Sequence, residues 1–193
     1  MQISVKGKQL DVGDALRGHI EDTIEQIAEK YFANPIDATV TLAREGSMFK
    51  ADVNVHVGKG IQVHSEASAS DAHAAFDGVS AKIDKRLRRY KRRLRDHNRG
   101  APSDDLPAQQ YVLAAETDEP NENEAADVWQ PVVVAEMSAM IETLTVGEAV
   151  MRLDLAELPA MMFRDRKTGG LNMIYRRPDG NIGWVDPAAV GSG

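Results

Sequence analysis

Phe49-Lys50-Ala51-Asp52-Val53-Asn54-Val55-His56-Val57 alternates apolar and polar side chains without a break, the pattern of a β-strand with one covered and one wet face. The same alternation precedes it in Ala38, Val40 and Leu42, across the turn Glu45-Gly46-Ser47, and follows it in Ile61, Val63 and Ser65, across the turn Gly58-Lys59-Gly60. Strands this close together and this regular predict an antiparallel sheet with a single covered face. Further upstream, Ile3 and Val5 oppose Ser4 and Lys6, which predicts another strand over residues 2–8.

Two helices supply the cover. The first begins at about Gly13 or Asp14, where an acid sits well against the positive end of the helix dipole. Leu16, Ile20, Ile24, Ile27 and Tyr31 then form one apolar stripe, which Asn34-Pro35 ends, because the residue before proline disfavours helical geometry. The second begins near Ser70 or Asp71, either of which can cap it, and carries the stripe Phe76, Val79, Ile83, Leu87, Tyr90 and Leu94. Residues 1–99 therefore read as one α+β domain of order β-α-β-β-β-α, large enough for its own core.

The chain changes character at residues 100–130, which hold three prolines, eight acids and neither Lys nor Arg, and read as an acidic flexible linker. Screening of the neighbouring basic helix is conceivable for such a tether; a solubilising spacer is the simpler reading. Residues 131–193 are patterned again: strand Val132–Val134, a short helix near Val146–Leu155, and strand Ala160–Phe163. The turn Lys167-Thr168-Gly169-Gly170, strand Leu171–Tyr175, the turn Pro178-Asp179-Gly180-Asn181 and strand Ile182–Val185 complete it. Some 60 residues make a marginal core, for which self-association is a common remedy. Met173-Ile174-Tyr175 and Ile182-Gly183-Trp184-Val185 are apolar on both alternating faces, so the unit is expected to be a small α+β dimerisation domain with Met173, Ile174, Tyr175, Ile182, Trp184 and Val185 at the interface.

Charge distribution narrows the function. The net charge of −7 conceals a segment, residues 82–99, with ten basic and two acidic side chains; residues 1–81 sum to −5, residues 100–130 to −8 and residues 131–193 to −2. Lys82, Lys85, Arg86, Arg88, Arg89, Lys91, Arg92, Arg93 and Arg95 lie between the apolar positions of the second helix. Cations brought to phosphates release condensed counterions, so a stiff basic helix suits the regular backbone of a folded nucleic acid. A merely solvated helix would carry opposite charges four residues away, and only Asp84 and Asp96 are available. RNA and DNA are not distinguished at this level.

Other classes fare poorly. With no cysteine, disulfides, thiolate nucleophiles and thiolate metal sites are excluded. His19, His56, His64, His73 and His97 are scattered without ligand spacing, so no metal is expected. Val57-Gly58-Lys59-Gly60 lacks the glycine spacing and the following Ser or Thr of a phosphate loop and reads as a hairpin turn. No catalytic set, cofactor or small-molecule substrate is indicated, which disfavours a small hydrolase. No apolar run approaches the roughly 18 residues needed to span a bilayer, and the N-terminus reads directly into a strand, so a cytoplasmic protein without membrane association is expected.

At this point the residues resemble a family, the long-form ribosome hibernation-promoting factors. The likeness runs through Met1–Phe32, through Asp71-Ala72-His73-Ala74-Ala75-Phe76-Asp77 with Lys82 and Arg86-Leu87-Arg88-Arg89-Tyr90-Lys91, and through Thr168-Gly169 with Leu171-Asn172-Met173-Ile174-Tyr175-Arg176-Arg177-Pro178-Asp179-Gly180-Asn181-Ile182-Gly183-Trp184-Val185-Asp186-Pro187. His73, Gly13-Asp14 and Ala160 depart from the family's usual residues. The resemblance implies an N-terminal domain similar to double-stranded-RNA-binding folds that occupies the decoding channel of the small ribosomal subunit, blocks mRNA and tRNA binding and so inhibits translation. It implies a C-terminal domain that self-associates and pairs inactive ribosomes in slow-growing or starved bacteria. On this chain Lys82, Arg86, Arg88, Arg89, Lys91 and Arg92 become ribosomal-RNA contacts, and the strands around Met173–Tyr175 and Ile182–Val185 the homodimer interface. The alternative is a dimeric RNA-binding regulator that does not act on the ribosome.

Overall fold

The computed structural model describes residues 1–58, 60–97, 105–115 and 131–187. Its first unit runs β1 (Gln2–Lys8), α1 (Asp14–Tyr31), β2 (Asp37–Glu45), β3 (Met48–Gly58), β4 (Ile61–Ala69) and α2 (Ala72–His97), with the strands side by side in that order. Strands β2, β3 and β4 are antiparallel, as their short turns require, whereas β1 joins β2 in parallel. The reason is α1, a crossover that carries the chain from the end of the sheet where β1 finishes back to the end where β1 began. Between β2 and β3 a two-residue loop turns on Gly46 at φ 63°, a conformation that glycine adopts without strain. Asp71 caps α2, its Oδ1 accepting from the Ala74 amide at 2.9 Å.

Both apolar stripes face one side of this sheet. Leu16, Ile20, Ile24 and Ala28 of α1, and Phe76, Val79, Ile83, Leu87 and Tyr90 of α2, are buried against Val40, Leu42, Val53, Val55 and Val63. On α1, Ala28 takes the deep position and leaves Ile27 and Tyr31 partly buried at the margin. The reverse face of the sheet is wet. There Asp52 stands directly opposite Glu66, a like-charged pair relieved by Lys50 at 2.6 Å from Glu66, and His64 lies 3.7 Å from Asp52.

The second unit comprises β6 (Val133–Ile141), β7 (Thr143–Leu144), α3 (Val146–Leu155), β8 (Ala160–Asp165), β9 (Leu171–Arg176) and β10 (Ile182–Val185), with sheet order β10-β9-β8-β7. A capping box starts α3: the Thr145 side chain accepts from the Glu148 amide, and the Glu148 carboxylate accepts from the Thr145 amide at 2.8 Å. Leu144, Ala149, Leu153, Phe163 and Ile174 form its core. Ile174, expected at a dimer interface, lies in this core with 0% exposure.

One part of the expected linker is structured. Residues 106–113 form a strand, β5 (Leu106–Leu113), paired antiparallel with β6 as a separate two-stranded ribbon. Tyr111-Val112-Leu113, which interrupt the polarity of that stretch, belong to it. Strand β6 likewise extends well past the expected Val134. Residues 100–104 and 116–130 of the expected linker lie outside the described residues, as does the expected turn residue Lys59.

The units touch through α3. Its Ala149 and Leu153 serve the C-terminal core, while Met151 and Leu155, buried, join the N-terminal core cluster. A helix that is apolar on two sides is a helix buried on two sides. Glu157 pairs with Arg86 of α2, and Arg152 donates to the Gly60 carbonyl while holding Glu142 at 2.6 Å.

Candidate nucleic-acid interface

The cations of α2 do not act as one group. Lys85, Arg88, Arg89 and Arg92 are exposed, at spacings of three, one and three residues that place them on one outward side of the helix. No carboxylate lies within salt-bridge reach of them among the described residues. Lys82 is exposed too, but its Nζ donates to the Glu66 carbonyl at 2.7 Å, and Arg86 Nη1 donates to the His64 carbonyl at 2.8 Å. These two side chains tie α2 to strand β4. Lys91 lies over the Phe32 ring at 5.0 Å from its centroid. Arg93 is half-buried and partnered, and the side chain of Arg95 lies outside the described residues.

The one acid in the middle of the helix is turned away from the outward row. Asp84 accepts from Lys30 Nζ and from the Tyr31 hydroxyl, each at 2.9 Å. The Lys30 hydrogen bond, with help from Tyr31 and against partial burial, holds its carboxyl below the usual range and so keeps it charged. The same contact raises Lys30. Asp84 thus clamps α2 to α1, and Asp77, the exposed acid near the start of α2, is held by His19 at 2.9 Å. Nothing in the sequence pattern distinguished outward cations from inward ones; the apolar stripe locates the helix face but does not say which long side chains bend back to backbone carbonyls.

Where α2 meets the second unit there is a cavity of about 430 Å³ lined by Arg86, Arg89, Tyr90, Arg93, Met151, Asp154, Leu155, Glu157 and Arg176. Its acids are already engaged, Glu157 with Arg86 and Asp154 with Arg176 at 3.1 Å. Burial pushes the Tyr90 hydroxyl up from its ordinary value, so it stays protonated. The cavity is the seam between the two units, and sequence reading missed it because its residues come from elements 60 residues apart. Asp52, His64 and Glu66 also bring three ligand-type atoms within 4.8 Å of one another. Lys50 holds the Glu66 carboxylate, which makes the group a cross-strand ion-pair cluster. Among the described residues no helix is long and apolar enough to cross a membrane.

The residues expected at a dimer interface divide between the faces of the C-terminal sheet. Ile174 and Ile182 face α3. Trp184 pairs across from Ile174 on that side, half-exposed, its Nε1 donating to Asn172 Oδ1 at 2.7 Å. Met173, Tyr175 and Val185 lie on the opposite face together with Met162 and Leu171, and α3 does not reach it. Met162 (51% exposed), Leu171 (44%), Met173 (37%) and Val185 (45%) form an open apolar surface there. Gly183 lies directly beneath the Tyr175 ring, where any Cβ would collide with it. Met162 and Leu171 were not expected at this surface, although the register of β8 with β9 makes them neighbours of Met173.

Comparison with known proteins agrees with both units. Residues 3–95 match the family described as Sigma 54 modulation protein / S30EA ribosomal protein, and residues 129–183 match the C-terminal domain of the same family. A ribosome hibernation promotion factor of Rhizobium meliloti is 38% identical over 98% of this chain and 99% of its own length. One from Bradyrhizobium diazoefficiens is 39% identical over 97% of this chain and 95% of its own. Among solved structures, the N-terminal domain of Thermus thermophilus Protein Y is 25% identical and covers 47% of this chain and 99% of its own, with a TM-score of 0.43. With both of its domains matched and relatives aligned along nearly their whole length, the chain belongs to the long-form ribosome hibernation promotion factor family.

Proposed function

We propose that this chain is a ribosome hibernation factor: it binds the small ribosomal subunit at the decoding channel, blocks mRNA and tRNA, and pairs inactive ribosomes by dimerising through its C-terminal unit. Its action is occlusion, without catalysis, and its place is with ribosomes in the cytoplasm. The observation that carries the reading is the outward row Lys85, Arg88, Arg89 and Arg92 on a helix whose one central acid is withdrawn. The row spans two helical turns, about 11 Å, and its guanidinium groups suit bidentate contact with phosphates. Lys82 and Arg86 reach ribosomal RNA only if they leave their carbonyls, so they rank behind that row. Pairing is supported by the open face of Met162, Leu171, Met173, Tyr175 and Val185.

Sedimentation of ribosomes with the full chain tests both halves. The protein is expected to co-migrate with small subunits and to convert monomeric ribosomes into pairs. Binding through four phosphate contacts weakens roughly a hundredfold between 50 and 200 mM salt. Arg88→Glu, Arg89→Glu and Arg92→Glu together are expected to abolish association with ribosomes while leaving the dimer intact. The alternative, an RNA-binding dimer that acts elsewhere, takes the place of this reading if the protein binds free RNA but sediments with neither small subunits nor ribosome pairs.

A further inference from the structure

Among the described residues, the ribbon of β5 and β6 leans little on the rest of the chain. It pairs from Leu106 opposite Ile141 to Leu113 opposite Val133. Directly opposed residues share a face, so Leu106, Ala108, Gln110 and Val112 lie with Ala135, Met137, Ala139 and Ile141 on one side. All but Gln110 are apolar. The reverse side carries Pro107, Gln109 and Tyr111 opposite Met140, Ser138 and Glu136 and is mixed. The ribbon is therefore amphipathic, yet its apolar side is open to solvent towards the Leu113–Val133 end: Val112 is 39% and Met137 46% exposed. A two-stranded ribbon is marginal in water unless something covers it.

The same chain holds a second uncovered apolar surface, the face of the C-terminal sheet around Met173. Strand β6 continues through Glu142 into β7, the edge of that sheet beside β8, so the ribbon projects as an arm from the domain's margin. The main contact of the arm with its own sheet is at β8, and β9 and β10, which carry Met173 and Val185, are not among its principal neighbours.

Area decides how the two surfaces are used. Eight residues at about 3.4 Å each, on two strands about 4.8 Å apart, give the arm a face on the order of 250 Å². The four-stranded sheet offers on the order of 300 Å² by the same spacing. Either alone falls well short of the roughly 800 Å² per partner of a stable association, and both together, on the order of 550 Å², reach about two thirds of it. An isologous dimer uses the same two surfaces on each copy, so one symmetric contact can close all four.

We propose that the β5–β6 arm of one copy lies with its apolar face across the open face of the C-terminal sheet of a second copy, and reciprocally. This rests on the reading that the C-terminal unit dimerises, and it assigns residues 106–113, in a stretch that reads from sequence as linker, to the interface. Met137, Val112 and Ile141 of the arm meet Met162, Met173 and Val185 of the sheet across the two-fold axis.

The absence of cysteine makes a direct test available in the full chain. Met137→Cys and Met173→Cys are made separately, one of them isotope-labelled, and mixed before treatment with a short bismaleimide. A cross-linked species containing one chain of each kind is expected, at least fivefold above the same-kind products. In parallel, Val112→Lys with Met137→Lys is expected to weaken dimerisation at least tenfold by sedimentation equilibrium, with the circular dichroism of the monomer unchanged. If the unmodified chain dimerises but the mixed product is absent and the double lysine variant dimerises equally well, the arm is not the partner surface, and the dimer itself stands. If the unmodified chain stays monomeric at every concentration, both the arm exchange and the dimer reading are overturned.

Discussion

The two sheets of this molecule are finished in opposite ways. The N-terminal sheet is covered on one face by two helices and wet on the other, with Val40, Leu42, Val53 and Val63 wholly buried. The C-terminal sheet is covered on one face by a single short helix and leaves its other face open, with Met162, Leu171, Met173 and Val185 at 37–51% exposure and Arg164 beside Leu171. A large core covered by two helices lets the first unit spend its surface on charge, which is what a polyanion requires. An unfinished core leaves the second unit with apolar surface, which is what a second copy requires. The division of labour in the proposed function thus follows from how much cover each sheet receives.

The sharpest way to break this comparison is to open the core of the first unit. Phe76 has 0% exposure beneath α2, and Phe76→Ala is expected to cost about 3–5 kcal/mol, measured by urea denaturation, and to abolish ribosome binding with the platform. On the C-terminal side, Met173→Glu places a charge on the open face without touching the core. It is expected to raise the dimer dissociation constant by two orders of magnitude or more while leaving ribosome binding within about twofold, read by sedimentation equilibrium and ribosome pelleting. Ile174→Glu, by contrast, unfolds the unit, because Ile174 belongs to its interior. The unequal cores also predict unequal melting: the C-terminal transition moves up with protein concentration and the N-terminal one does not. A smaller effect sharpens the picture of α3. Thr145→Ala removes the capping box and is expected to cost about 1 kcal/mol of stability in the helix that joins the two units.

How much of this was legible in the sequence follows the same line. The N-terminal unit was readable almost throughout, because each element has a clean period and a clear boundary: Phe76, Val79, Ile83, Leu87 and Tyr90 fall on one helix face, and Asp71 caps it. The parallel entry of β1 was not in the pattern, since alternation is the same for either direction. In the C-terminal unit the strands are apolar on both sides, so their pattern says that two faces need cover but not which one α3 takes. That is why Ile174 and Met173, adjacent in sequence, belong to different surfaces. Strand β5 was hidden by its neighbours: eight acids and three prolines dominate the composition of residues 100–130, and one short alternating run within them carries little weight. Its partner, Ala135, Met137, Ala139 and Ile141, alternates correctly but with weak strand formers. Met151 and Leu155 carried a readable signal, an apolar pair on the side of α3 away from Ala149 and Leu153.

The smallest predicted effect separates the platform from what it displays. Asp84 is the central acid of the basic helix, and it serves the core side, accepting from Lys30 and Tyr31. Its carboxyl is held below the ordinary carboxylate value, so its stabilising contribution is complete above the unfolded value of about 3.9 and is lost as pH falls through the lower folded value. Asp84→Asn is therefore expected to lower stability by no more than about 1 kcal/mol near neutral pH, the contact being partly exposed and screened. The difference from the unmodified chain narrows as pH drops below about 4, because both then carry a neutral group at this position. Affinity for ribosomes is expected to move the other way or not at all, since the substitution removes a negative charge from the helix that bears the proposed phosphate-binding row. A large loss of ribosome binding in Asp84→Asn, at unchanged stability, would place this carboxylate in the contact itself and contradict the division between a clamping side and a displaying side of α2.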